Sequence, residues 1–165
     1  DLIKLMGGNG FFVKQLKKVF DNKQFDMANE PDIAYPYLFN YIKGEEWRTQ
    51  KRVQELIIKY FKNEPKGLPG NDDTGTMSAW LVFSMMGIYP ISPGDSMYAI
   101  TKPIFDKVTV QLDSQYYKNK QFVIEKGKNS GGNIKKIMLN GKNHKDYFIS
   151  HDDLVNGNQL KIIFD

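Results

Sequence analysis

Cysteine is absent from the 165 residues. That excludes a disulfide framework, a cysteine-based zinc site and a thiol nucleophile, while leaving the compartment open. Histidine is scarce: His144 and His151 lack metal-ligand spacing and read as surface residues. No apolar run reaches the roughly 18–20 residues that a membrane span requires. The richest stretch, Met77 to Ile91, is interrupted by Ser78, Ser84 and Gly87. Phosphate-binding glycine loops are missing, because neither Gly7-Gly8 nor the stretch from Gly67 to Gly75 has the required lysine or strand context. No serine sits in a nucleophile-elbow pattern, and there is no internal repeat or low-complexity segment.

What remains is ordinary globular material, 41% hydrophobic and 25% charged. The net charge of +4 and pI near 9.1 raise the question of nucleic acid. Along the sequence, however, the basic residues are interspersed with acidic ones, and a solvated lysine-rich face is the expected reading, with no nucleic-acid partner and no membrane partner. The chain opens on Asp1 in an apolar stretch and is expected to be a piece of a longer polypeptide, any export signal lying upstream.

Hydrophobic periodicity divides the chain. Phe12, Val13, Leu16, Val19 and Phe20 recur at helical spacing, as do Val53, Leu56, Ile57 and Tyr60 in a helix from about 45 to 61. Tyr37–Ile42 suits a short buried helix behind the turn Asn29-Glu30-Pro31-Asp32. From Thr76 to Met86 the sequence is apolar on every side and predicts a helix enclosed by protein. Beyond Pro93-Gly94 the period becomes two. Short strands are expected around 108–112, 122–124, 137–139, 147–149 and 160–164, with turns at Gly131-Gly132, Asn140-Gly141 and Asn156-Gly157. The expected fold is α+β: helices over 1–92, then a small antiparallel β-sheet or sandwich over 93–165. Trp47 and Trp80 read as core residues.

Two segments could carry chemistry. In the first, Gly70-Asn71-Asp72-Asp73-Thr74-Gly75, adjacent carboxylates lie among glycines just before the apolar helix. A helix N-terminus favours an acidic cap, which is the plain structural explanation. A cap needs only one carboxylate, though, and glycines allow close backbone approach to something else. The second is Asn29-Glu30-Pro31-Asp32, either a pre-helix turn or a site whose amide and carboxylate oxygens suit a hard cation or a sugar.

Together with Pro36-Tyr37-Leu38-Phe39-Asn40-Tyr41, Trp47-Arg48-Thr49-Gln50, the run from Gly70 to Trp80, Gly87-Ile88-Tyr89-Pro90, Pro103–Lys107 and Leu139–Lys142, these segments resemble glycoside hydrolase family 92 over nearly the whole chain. The resemblance implies a calcium-dependent, inverting exo-α-mannosidase, mostly exported by bacteria (secreted, periplasmic or cell-surface). In such enzymes an N-terminal β-sandwich precedes an (α/α)6 catalytic barrel, whose C-terminal part this chain would be. It implies that Asp72 and Asp73 are the general base and its helper, with Asp73 the preferred base, and that Asn29 and Glu30 hold calcium. Glu30 and Asn71 would contact mannose, α-1,2-linked by expectation. The family's general acid is a glutamate in an upstream aromatic-rich motif that this chain lacks, so the chain alone is expected to be inactive and to work with the rest of its polypeptide on mannose-containing glycans. Histidines that many members carry around the Asn-Glu-Pro motif are replaced by Met27-Ala28 and Asp32-Ile33-Ala34. Against this stand two further readings. One is a non-catalytic carbohydrate-binding or structural fragment. The other is a phosphorylase on a helical barrel, which would need clustered cations for phosphate.

Overall fold

In the computed structural model, residues 1–92, 94–127 and 131–165 are described. Pro93, part of the expected Pro93-Gly94 boundary motif, lies outside them. The chain divides into two compact units, Asp1–Ala79 and Trp80–Asp165.

The first unit is helical. After α1 (Leu2–Leu5), the left-handed Gly7 and Gly8 turn the chain into α2 (Asn9–Asp21). Phe12 and Leu16, one turn apart on α2, pack with Phe39 and Ile42 into a small core. Phe39 comes from a 3₁₀ helix spanning Glu30–Tyr41, and Ile42 is the residue that ends it. Apolar patterning alone predicts a helix only over 37–42, behind a turn at Asn29–Asp32. Instead Glu30 begins the helical run, Pro31 fits its first turn, and Pro36, which has no N–H to donate, sits within it. The 3₁₀ helix packs on α3 (Glu46–Tyr60), whose Val53, Leu56 and Ile57 are buried. Trp47 departs from the core assignment: it is 37% exposed, with the Arg48 guanidinium 4.2 Å above its ring. Helix α4 (Thr76–Met86) has the expected bounds, but it is not enclosed on all sides. Met77, Trp80 and Ser84 are buried, whereas Ala79 is exposed and Val82 is 55% exposed.

The change from helix to strand falls between Met86 and Ile88, where Gly87 takes φ +94° and leaves only 2.9 Å between an added Cβ and the Pro103 ring. Any side chain there would collide. Strands β1 (Ile88–Tyr89), β2 (Met97–Ile100) and β7 (Phe148–Ser150) form a three-stranded antiparallel sheet. Strands β3 (Lys107–Gln111), β4 (Gln121–Lys126), β5 (Ile134–Leu139), β6 (Lys142–His144) and β8 (Gln159–Phe164) form a second sheet in the order β3-β4-β8-β5-β6. That sheet is mixed, not purely antiparallel: β4 and β8 run parallel, with Ile124 beside Leu160. The β5–β6 hairpin turns at Asn140-Gly141, both with positive φ, as an Asn-Gly hairpin turn demands. A short helix, α5 (His151–Asn156), carries a capping box in which Ser150 and Asp153 satisfy each other's backbone N–H groups. Ile100, Phe122, Ile124, Ile149, Leu160 and Ile162 are at the centre of this unit's core. The histidines are not plain surface residues. His144 Nε2 donates to the Phe148 carbonyl at 2.7 Å, and His151 Nδ1 lies 3.1 Å from the Tyr98 hydroxyl, both half-buried.

Candidate functional site

The two sequence segments, more than forty residues apart, meet at the start of α4. The Thr76 hydroxyl lies 2.8 Å from the Asp73 carbonyl and 3.3 Å from Glu30 Oε1. It has one proton, so it can serve only one of them well at a time. At the same place Gly70, at φ +79°, passes so close to Ala28 that an added Cβ would stand 3.0 Å from the Ala28 Cβ. A non-glycine residue would be strained and crowded there, and the loops could not approach as they do.

The adjacent aspartates are not equivalent. Asp72 is half-buried, and both of its carboxylate oxygens are used: Oδ1 accepts the Ser78 backbone N–H at 2.7 Å and Oδ2 accepts the Ser78 hydroxyl at 2.9 Å. It is thus the cap that α4 requires. Asp73 is exposed, and its carboxylate has no hydrogen-bond or ion-pair partner among the described residues. Its backbone is left-handed at φ 48°, and Thr74 follows at φ 60°. Left-handed backbone is uncommon for Asp and an outlier for a β-branched Thr, and two in succession store strain of about 1–3 kcal/mol each. The chain turns outward here, and the Asp73 carboxylate is left in solvent.

Glu30 and Asn29 are also exposed. Their loop is braced by Asp32, the last residue of the candidate segment, which serves the turn and not a ligand. Buried Asp32 accepts the Asp26 backbone N–H at 2.9 Å through Oδ2 and the Asn29 side-chain amide at 3.3 Å through Oδ1. Asp26 in turn accepts the Ala28 N–H at 2.9 Å. Asn29 is therefore oriented by its Nδ2, which leaves its carbonyl oxygen to face elsewhere. Met27 and Ile33, at neighbouring positions, are buried. Thr76 was missed as well; its signal was a hydroxyl residue one step past a glycine at the helix start. Asn71 is exposed, with no side-chain hydrogen bond among the described residues.

For a calcium ion the chemistry of the donors fits, since Asn29 and Glu30 offer hard oxygens. Their number is short of the six to eight that calcium takes, and no cluster of three or more metal-binding side chains of the His, Cys, Asp or Glu type occurs among the described residues.

A model of the glycosyl hydrolase family 92 catalytic domain matches residues 1–165, the whole chain. The chain belongs to glycosyl hydrolase family 92. It is 32% identical, over 98% of its length, to an uncharacterized secreted glycosidase of the fungus Arthroderma benhamiae, covering 21% of that protein. Among solved structures it resembles a family 92 α-mannosidase of Bacteroides thetaiotaomicron, with a TM-score of 0.83, 29% identity, and coverage of 94% of this chain and 22% of the other. It also resembles a family 92 inverting mannosidase of the same bacterium, with a TM-score of 0.72, 37% identity, and coverage of 84% and 19%. The chain spans about a fifth of the length of these relatives. Among the described residues no helix is long and apolar enough to cross a membrane.

Proposed function

We propose that this family 92 chain is the general-base portion of an exported, inverting, calcium-assisted α-mannosidase that removes terminal α-linked mannose, α-1,2-linked in the first instance, from glycans. The observation that carries the reading is the division of labour in the Asp pair. Asp72 caps α4 with both oxygens, and Asp73 is free and exposed on strained backbone, its carbonyl sharing the Thr76 hydroxyl with Glu30.

Asp73 accepts the proton from a water as the water oxygen bonds to the anomeric carbon and the bond to the leaving oxygen breaks. In an inverting hydrolase the acid that protonates the leaving group stands roughly 6.5–9.5 Å from the base. No residue of this chain is assigned that role, and the rest of the polypeptide supplies it. Asn29 and Glu30 would hold calcium, whose charge, when bound, helps to orient and polarise the sugar hydroxyls. Asn71, next to the cap, would hydrogen-bond the mannose, and Glu30 would serve both the sugar and the ion. Two relatives support the activity, being mannosidases themselves, and the fungal one supports export.

The test is Glu30→Gln in the intact protein. The calcium concentration for half-maximal mannose release should rise at least about tenfold, because a ligand loses its charge. An unchanged calcium requirement, or mannose release indifferent to calcium in the parent protein, overturns the calcium assignment. Binding of mannose-terminated glycans with no turnover by the intact protein would favour a carbohydrate-binding module instead.

A further inference from the structure

Away from the residues assigned above, the first unit carries a groove of about 580 Å³ between α2 and the turn that leads into α3. Lys14, Lys17 and Lys18 line one side, at i, i+3 and i+4 on a single face of α2, and Lys43 and Arg48 line the other. The three lysines of α2 share a helix in the sequence already, but Lys43 and Arg48 reach the groove only through the fold. Two carboxylates share the groove, but both have arginine partners: Asp21 lies 3.4 Å from Arg52, and Glu45 is ion-paired to Arg48. None of the four lysines has a carboxylate within ion-pair distance among the described residues. The groove is therefore left with four uncompensated positive charges on two walls.

Separate ammonium groups along an open channel suit a ligand with several spaced negative charges better than a single phosphate. They are point charges on flexible stems, without the planar fork that grips one oxyanion bidentately. No aromatic side chain lines the groove, and the exposed tryptophan near it, Trp47, has the Arg48 guanidinium over its ring. That disfavours single-stranded nucleic acid, which needs stacking platforms as well as charge. We propose that this groove binds an acidic polysaccharide, a glycan chain with sulfate or uronate groups on successive sugars, and so retains the enzyme on a charged glycan matrix. The positive groove stands independently of the hydrolase reading; the choice of a glycan over nucleic acid rests on it.

The experiment is done on the intact protein with a sulfated dextran oligosaccharide as probe, an uncharged dextran of the same length, and a single-stranded DNA oligonucleotide. The sulfated dextran should bind, more weakly as salt rises, and the uncharged one should not. The triple change Lys14→Gln, Lys17→Gln and Lys18→Gln should weaken binding about tenfold, the sum of three weak exposed pairs. Lys14→Gln with Lys43→Gln, drawn from both walls, should weaken it severalfold. Release of mannose from a small uncharged mannoside should be unchanged in both variants, so failure of the groove and failure of the mannosidase reading are distinguishable. No binding of the sulfated dextran by the intact protein, binding indifferent to both variants, or equal or tighter binding of DNA at matched charge would overturn the proposal.

Discussion

Replacing Asp72 by alanine removes the acceptor of two hydrogen bonds at the start of α4, one from the Ser78 N–H at 2.7 Å and one from its hydroxyl at 2.9 Å. Loss of a cap costs about 0.5–2 kcal/mol. The second charge-assisted bond and the favourable placement of a negative charge at a helix N-terminus add about 1 kcal/mol more. The expected loss for Asp72→Ala is thus about 1.5–3 kcal/mol, and for Asp72→Asn, which keeps one acceptor oxygen, about 1 kcal/mol or less. Asp73 behaves oppositely. No hydrogen bond of its side chain is lost, and asparagine tolerates φ 48° at least as well as aspartate, so Asp73→Asn should change stability by no more than about 0.5 kcal/mol. Its turnover should fall by at least about 10², the general-base contribution. Urea unfolding and mannose release measured on the same three variants of the intact protein separate the roles. Asp73→Asn that keeps full turnover, or Asp72→Ala that unfolds like the parent, would refute the assignment.

Thr74→Gly relieves a β-branched residue at φ 60° and should stabilise the protein by up to about 1 kcal/mol while lowering turnover, because the strain that holds Asp73 outward is released; stability and turnover rising together would contradict this. Burial raises the pKa of Tyr98, and the neighbouring Tyr117 pushes it the same way. A raised folded-state value contributes stability that is complete below the unfolded pKa of 10.0 and is lost as pH rises through the folded value. Tyr98→Phe should therefore soften the alkaline loss of stability, while costing about 1 kcal/mol near neutrality through the lost bond to His151; unfolding midpoints at pH 8 and pH 11 check both. The 165-residue chain alone should release no mannose at a rate above background, since the acid's contribution of about 10²–10⁴ is missing; calcium-dependent release by the isolated chain would show that an acid lies within it.

Much of the local structure was legible. Helix α4 announced both ends, Thr76 after a glycine and Met86 before one, and α2, α3 and the Asn140-Gly141 hairpin followed from periodicity and turn chemistry. The two-residue β1 and the three-residue β6 were too short to show a period, and α5 hid in a polar stretch whose capping box closes over Ser150–Asp153 alone. The 3₁₀ run over Glu30–Tyr41 was half-read because Pro31 and Pro36 suggest a break, whereas the tighter helix absorbs them. At the candidate site the sequence named both segments but could not separate Asp72 from Asp73. That distinction lies in two positive φ angles and in which carboxylate reaches Ser78, neither of which residue type determines. Ala79 and Val82 of α4 are exposed in this chain because hydrophobicity around a helix states what could be buried, not what this stretch of chain supplies to bury it.

The order of strands in the mixed sheet has a consequence for synthesis on the ribosome. The strand made last, β8, is the middle one, parallel to β4 on one side and antiparallel to β5 on the other. Until residue 164 has emerged, β3–β4 and β5–β6 are two separate hairpins with no strand in common, and each presents an unpaired inner edge to the cytosol or to a chaperone. Asn140 anticipates the closure: its side-chain oxygen accepts the backbone N–H groups of Asn158 at 2.7 Å and Gln159 at 3.1 Å, so the hairpin turn holds the landing point of β8. A nascent chain stalled a few residues short of Phe164 would therefore carry two half-sheets with open inner edges, and residues 159–164 are what joins them.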